Sequence, residues 1–396
     1  MIHRHRSLAS CTDHHLTSVS PDGPSDPTAL RRWLDRWAAV LAEHAVQPLQ
    51  ERMVGPIDGR EQLLSLRRAA LRDHHLDDES PCAFIDGRPG ERPFATALQL
   101  WGIAPSPGSE LSVATVLGAG AQRGRLLTGT DVRLLWLTSV DGRTADGQLA
   151  NGVTAQGHEM LCGAIAALQA HGFTLRDVAR TWIYLRRILD WYGEFNRVRT
   201  SIFREHGLTG RQQAPPFPAS TGIQGTRAGE ECTMELLAAQ GSTSRISFDE
   251  VADSARQNRA FAYGSAFSRA ISLRWQGADT ILVSGTASIG TDGRTRHLGE
   301  PEAQLVETLM AIAALVAPRG CRLTDMASGT VYFKNDEARA AFGRVTRQLE
   351  LPDLPLVPVR ADVCRPELLV EIEAIILGPD DARREPPRRQ ETRDVR

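Results

Sequence analysis

The strongest constraint on this chain is a repeat. LRDVARTWIYL (175–185) and LTDMASGTVYF (323–333) align with Asp177 and Asp325 148 residues apart, and Tyr184 and Tyr332 keep that offset. A helical pattern precedes each segment: Leu161, Ala164, Ile165 and Leu168 within 158–171, and Leu305, Leu309, Ile312 and Val316 within 301–317. A second helical pattern follows each one, LDWYGEFNRVRTSIFREHG and NDEARAAFGRVTRQLE. Each copy closes on a strand, CTMELLAAQG or LLVEIEAIILG, and opens on a hairpin, VRLLWLTSVDGRT or TILVSGTASIGTDGRT. The order hairpin, helix, strand, helix, strand therefore occurs twice. It predicts an α+β fold built by duplication, each sheet carrying its helices on one face.

The rest of the chain divides around these copies. Residues 1–25 are polar and irregular and predict disorder, as does the tail 379–396, which has almost nothing to bury. Residues 26–127 form an extension that covers an edge of the fold. Asp26-Pro27 predicts a helix start, and Leu30, Trp33, Leu34, Trp37 and Leu41 mark one face of that helix through Ala45. A second helix is expected over 60–72, then CAFIDGRPG and ATALQLWGIA as strands joined by a turn. The two tandem units occupy 128–250 and 251–378, with superposable halves near 128–240 and 272–378 packed side by side.

Several function classes lose support at once. A net charge of −2 exerts no global pull on nucleic acid or anionic membrane. No apolar run reaches the ~18 residues of a membrane span. MIHRHRSLASCTDHH has no apolar signal-peptide core, so a cytoplasmic protein is expected. Six cysteines without a CxxC pair fit free thiols in a reducing compartment. Lys334 is the one lysine among 46 basic residues, so Schiff-base chemistry would rest on it alone. HRHR (3–6) and DHH (13–15 and 73–75) fall in expected disorder or at a helix end, which argues against a metal site. GAGAQRG (118–124) has no phosphate-binding helix after it. No cofactor is expected.

The order of elements, with RTWIYL (180–185), PASTGIQG (218–225), YGSAFSRA (263–270), VSGTASI (283–289) and CRPELLVEIE (364–373), resembles the Rid/YjgF superfamily. More closely, two such units behind an N-terminal extension resemble the chorismatases, and the match runs across about 80–378. Rid proteins are small trimeric imine deaminases with active sites between subunits. Chorismatases hydrolyse the enolpyruvyl ether of chorismate, release pyruvate, and yield a dienediol, 3-hydroxybenzoate, or mixed 3- and 4-hydroxybenzoate. The resemblance implies a chorismate hydrolase/lyase of the 3-hydroxybenzoate synthase type. Its pocket would lie between the two units, and a duplicated chain that closes its own contacts would be a monomer or weak dimer.

The first glutamate of VEIE, Glu371, takes the general acid's place by this resemblance. Cys364, seven residues earlier, and Gly285 in the SGTA strand match the hydroxybenzoate subtypes. Arg269 in FSRA matches a family arginine. Read from the residues alone, Glu371 and Glu373 share one face of a strand, so that face meets solvent or arginine, or lines a pocket. Apolar neighbours Val370, Ile372, Ile375 and Ile376 would raise the pKa of a carboxyl among them. A dicarboxylate substrate calls for arginine, with Arg180, Arg245 and Arg360 as further candidates. Tyr184 and Tyr263 are candidate hydroxyl donors, although Tyr184 alternates with Trp182 and fits a core position. TGIQG, with Thr221 and Gly222, offers backbone N–H groups to an anion or simply makes a turn. Cys364 shapes the path of the intermediate or is an ordinary buried thiol. TWIY replaces the TWNY of the dienediol subtype. Two alternatives stay open: an imine or enamine deaminase, for which Arg360 is suitably placed before the last strand, and a non-catalytic small-molecule binder.

Overall fold

The computed structural model describes residues 1–20, 26–87, 96–118, 123–210, 215–225, 230–251, 254, 256–351 and 354–380, apart from the side chains of Ala262, Tyr263 and Asp380. The strands form three sheets, and each sheet belongs to one consecutive third of the chain. The first third holds β1 (Ile2–Ser7), β2 (Cys11–Ser20), α1 (Pro27–Glu43), β3 (Gln47–Gly55), α2 (Arg60–Asp73), β4 (Ala83–Asp86) and β5 (Thr96–Pro105). Next come β6 (Ser112–Leu117), β7 (Arg123–Gly129), β8 (Val132–Asp141), α3 (Val153–Ala170), β9 (Val178–Leu185), α4 (Ile188–Glu205), β10 (Ala219–Gln224) and β11 (Cys232–Gly241). The last third holds β12 (Ile246–Glu250), β13 (Ala270–Trp275), β14 (Ala278–Ala287), α5 (Pro301–Val316), β15 (Met326–Phe333), α6 (Asp336–Gln348), β16 (Leu356–Arg360) and β17 (Val370–Asp380).

The sheet orders are β1-β2-β5-β3-β4, β6-β7-β8-β11-β9-β10 and β12-β13-β14-β17-β15-β16. Apart from one extra edge strand in the second and third sheets, the three are the same: hairpin, closing strand, middle strand, last strand. The last pair is parallel in every case, β3–β4, β9–β10 and β15–β16. The two expected units are present, and the extension is a third unit of the same topology.

The outer face of each sheet carries its own helices over a separate apolar core. Trp33, Trp37 and Leu63 pack there in the first unit, Leu161 and Phe203 in the second, Leu309 and Val345 in the third. The three inner faces meet in one central core that includes Trp101, Trp136, Trp182 and Trp275. Inside it, Arg52 of β3 bonds Glu235 of β11 at 2.8 Å and reaches Glu373 of β17 at 3.4 Å, joining all three sheets. Arg180 of β9 pairs with the same Glu373 at 2.7 Å. Two guanidinium groups thus balance two carboxylates away from water, the arrangement that buried charge requires.

Three expectations need correction, two about the first third and one about the bounds of the second unit. Residues 2–20 form the β1–β2 hairpin, and only 21–25 of the segment expected to be disordered lie outside the described residues. Several of its polar groups are tied into the fold. Trp101 Nε1 donates to Asp13 at 2.7 Å, Trp33 Nε1 donates to Ser18 at 2.8 Å, and Arg6 donates to the Asp279 carbonyl at 2.5 Å. CAFIDGRPG and ATALQLWGIA supply β4 and β5, but β3 lies between them, so they are not a hairpin; residues 88–95 lie outside the description. The second unit begins at β6, before residue 128, and β12, which was read into that unit, pairs with β13 of the third. Asp26 does cap α1, accepting from the Thr28 and Ala29 amides at 3.0 and 2.9 Å. Of the tail, 381–396 lie outside the described residues. Among the described residues, no helix is long and apolar enough to cross a membrane.

Candidate active site

The alternation along β17 decides what its two glutamates do. Val370, Ile372 and Ile376 point to the helix side and join the outer core of the third unit, while Ile375 is on the inner side. Glu371 and Glu373 therefore face inward, toward the other sheets, and both are buried. The isoleucines and valine that were expected to surround Glu371 lie mostly across the sheet from it. What removes its carboxyl from water is the packing of the second unit against the third.

A cavity of about 200 Å³ opens at this seam, between β10 and α4 of the second unit and β14 and β17 of the third. Glu371, Gly285, Cys364, Arg269 and Gly222 line it, together with Tyr192, Asn196, Arg199, Ser220, Phe267 and Ala287. Glu371 sits opposite Ala287 on one side and Tyr332 on the other. The β14–β17 register slips between Val283 and Thr286, a bulge that turns the backbone at Gly285 toward the carboxyl. A β-carbon at 285 would collide with Glu371 Oε1 and stand 2.9 Å from Cδ, so glycine here makes the room in which the acid sits.

Burial pushes the Glu371 carboxyl up to about 8, and nearby Glu373 pushes the same way against the opposing pull of Arg180 and Arg269. At neutral pH the group holds its proton. Burial and then Glu371 push the Cys364 thiol up to about 12, so it lines the cavity as a neutral thiol and not as a nucleophilic thiolate.

Arg269 reaches the cavity from the start of β13; it is 2% exposed, and its Nε donates to the Asn258 carbonyl at 3.2 Å. A second buried arginine was missed in the sequence. Arg199 of α4 donates to Asn196 Oδ1 at 2.6 Å and to Ser220 Oγ at 3.4 Å, while its Nε has no partner. Burial is the main influence on its guanidinium and lowers its pKa; the neighbours opposing that are Tyr192 and Cys364, neither of them a carboxylate. Among the described residues no carboxylate pairs with it, and a charge kept from water in that way calls for an anion from outside the chain. Tyr192, Asn196 and Arg199 recur at i, i+4 and i+7 on α4, one helical face aimed at the cavity. That spacing was the available signal, hidden among many other arginines.

The remaining candidates lie elsewhere. Arg180 belongs to the central ion network: it donates to Thr221 Oγ1 at 2.6 Å and Glu373 at 2.7 Å and stacks on Trp182. Thr221 also donates to Glu373 at 2.7 Å and accepts from the Gly285 amide at 3.0 Å, so it ties that network to the cavity wall. Tyr184 is core, its hydroxyl donating to Glu235 at 3.3 Å. Arg245 is exposed in a turn before β12. Arg360 is exposed on β16 and bonds Asp336. The side chain of Tyr263 lies outside the description. Gly222, expected to offer its amide to an anion, packs against the Tyr192 ring, which a β-carbon at 222 would approach to 3.1 Å.

No family model matches the chain. It is 29% identical over 232 residues to a 3-hydroxybenzoate synthase of Streptomyces hygroscopicus, a match covering 52% of this chain and 65% of that protein. A chorismatase of the same organism is 28% identical over 238 residues, covering 54% of this chain and 67% of its own length. The match to the synthase thus spans just under two thirds of it. Among solved structures, a chorismatase crystal structure superposes with a TM-score of 0.58 at 19% identity, over 94% of this chain and 99% of the other. The resemblance to the chorismatases found in the sequence therefore holds in the curated relatives and in the fold.

Proposed function

We propose that this chain is a chorismatase, releasing pyruvate from chorismate and leaving 3-hydroxybenzoate as the main aromatic product, with 4-hydroxybenzoate as the minor alternative. The observation that carries this reading is the Glu371 carboxyl, buried against Gly285 in a cavity that also holds two buried arginines, a setting that favours its protonated form. Cleavage of an enol ether starts with a proton on its methylene carbon. The Glu371 O–H supplies that proton, the C=C pair forms the new C–H bond, and positive charge spreads over the ether carbon and oxygen. The Glu371 carboxylate so formed lies near that charge and stabilises it. Water adds to the cation, the resulting hemiketal collapses to pyruvate and the ring alcohol, and Glu371 recovers a proton. Pyruvate and hydroxybenzoate together contain the atoms of chorismate, so aromatisation of the ring expels the water that cleavage took up. Arg199 and Arg269 hold the two substrate carboxylates. Cys364, a neutral thiol beside the acid, steers the ring intermediate toward the aromatic product.

The imine-deaminase reading loses the arginine it needed, because Arg360 is exposed and bonded to Asp336. The test is to incubate the protein with chorismate and with 2-iminopropanoate and follow pyruvate and aromatic products by chromatography. Pyruvate with 3-hydroxybenzoate from chorismate is the expected result; turnover of the imine alone would hand the site to the deaminase reading. Cys364→Ala should move products toward the dienediol more than it slows pyruvate release, and an unchanged product ratio would make Cys364 structural.

Because one chain supplies three units of one topology around a common core, the protein works as a monomer or weak dimer. An obligate trimer in light scattering would contradict this. The six cysteines are free thiols, which suits the cytoplasm. Neither nucleic acid nor membrane has a part in the mechanism.

A further inference from the structure

Gly285 stands against the Glu371 carboxyl, yet its amide hydrogen goes elsewhere. A β-carbon there would overlap Glu371 Oε1. The bulge between Val283 and Thr286 takes the Gly285 amide out of the ladder with β17, and the amide donates instead to Thr221 Oγ1 at 3.0 Å. Thr221 lies on β10 of the second unit and is 1% exposed. A hydroxyl has one hydrogen and two lone pairs. Here all three are spent. The hydrogen goes to Glu373 at 2.7 Å, and the lone pairs accept from Arg180 at 2.6 Å and from Gly285. Nothing is left over for a substrate, and Thr221 is not among the residues that line the cavity.

We propose that Thr221 is a positioning residue for the acid: by holding the Gly285 amide across the seam between the units, it withholds from Glu371 the backbone donor that would favour the carboxylate form. This assignment rests on the chorismatase reading, in which Glu371 must carry its proton. A backbone N–H bonded to a carboxylate stabilises the ionised form by about one pH unit. The other groups around the acid stay as they are when the Thr221 hydroxyl is removed. Glu373, on the same strand, pushes the Glu371 carboxyl up, while Arg180 and Arg269 pull it down. Tyr332 of β15, Tyr192 of α4 and Cys364 are kept neutral by burial, and Arg199 lies in the cavity wall. Glu373 keeps Arg52, Arg180 and Tyr332 as partners, so its charge persists without Thr221. What changes beside the acid is the Gly285 N–H, which is then released to it.

The experiment titrates the Glu371 carboxyl by carbon NMR in the full chain labelled at its glutamate carboxyls, with the signal assigned by its loss in Glu371→Gln. The pH dependence of kcat/KM for pyruvate release is recorded alongside. In wild type the midpoint should lie near 8. Thr221→Val keeps the shape of the side chain and drops the hydroxyl. Its midpoint should fall by at least ~1 pH unit, and its deficit in kcat/KM should be widest above about pH 8 and largely gone at about pH 6. Thr221→Ser keeps the hydroxyl and should titrate as wild type does. Loss of folded protein would lower the rate alike at every pH and leave the midpoint alone. Thr221→Ala, with less bulk, should shift as valine does. Should neither hydroxyl-free variant fold, amide exchange of Gly285 in wild type decides: exchange as slow as that of the β14 ladder is expected, and exchange as fast as that of an exposed loop overturns the proposal. The titration needs no substrate, so a protein that releases no pyruvate from chorismate would sink the chorismatase reading while the midpoints still decide this one. A wild-type midpoint in Thr221→Val, or an equal fall in Thr221→Ser, overturns the proposal.

Discussion

Glu371→Gln should stabilise the folded protein, and the gain should grow with pH. The unfolded chain ionises this carboxyl near its ordinary value of 4.5, whereas the folded chain holds the proton to about 8. Between those values the folded state binds a proton that the unfolded state has released, so wild-type stability falls with rising pH. What the neutral carboxyl contributes is fully present below pH 4.5 and is lost as pH climbs through 8. Each pH unit inside that window costs about 1.4 kcal/mol, which accumulates to about 3 kcal/mol by pH 7. Glutamine keeps the shape and does not titrate, so the variant escapes this cost. Guanidinium unfolding of both proteins at pH 5 and pH 7.5 measures it. The difference between variant and wild type should be small at the lower pH and wider by about 3 kcal/mol at the higher one. A difference that stays constant across the two would mean that Glu371 ionises like an ordinary surface carboxyl, and the reasoning from burial would fail.

Two further substitutions probe the cavity walls. Gly285→Ala puts a methyl group where Glu371 Oε1 lies, so the carboxyl must swing away; pyruvate release should slow by about 10-fold or more. A rate within twofold of wild type would show that the glycine does not set the acid's position. Arg199→Gln removes a charge to which no carboxylate among the described residues is paired, so stability should hold or rise while KM for chorismate increases by at least ~10-fold, the loss of one charge-assisted contact. An unchanged KM would take Arg199 out of substrate binding.

The repeat was legible because Asp177 and Asp325 immediately precede β9 and β15 and Tyr184 and Tyr332 sit at matching points within them, strands that share one sheet position. The first unit was not, because its middle strand β3 reads QPLQERMVG where β9 reads VARTWIYL, with no aspartate or tyrosine to align. Its Arg52 is there to join the other two sheets, a constraint visible only once all three are together. Disorder was read into residues 2–20 because composition reports polarity and cannot report that polar groups such as Asp13, Ser18 and Arg6 have partners in the first and third units. At the site, Glu371, Cys364, Gly285 and Arg269 were legible through family resemblance, and they meet in one cavity. Arg180 and Tyr184 were misplaced for a geometric reason. Strand alternation places a residue on the inner face, but it does not tell the central axis from the seam where the cavity opens. Val370, Ile372 and Ile376 were credited with burying Glu371 although they lie on the opposite face; the second unit does that work from far away in the sequence.

The central claim is that a buried, protonated Glu371 delivers the proton that starts cleavage. Its most direct test is the pH dependence of kcat/KM for pyruvate release from chorismate, in wild type and in Glu371→Gln. Wild-type activity should fall with a one-proton slope as pH rises through about 8, where the acid loses its proton. The variant should be slower by at least ~10²-fold and should lack that descending limb. A variant that turns chorismate over within a few-fold of wild type, with the same limb, would place the acid elsewhere and contradict the account.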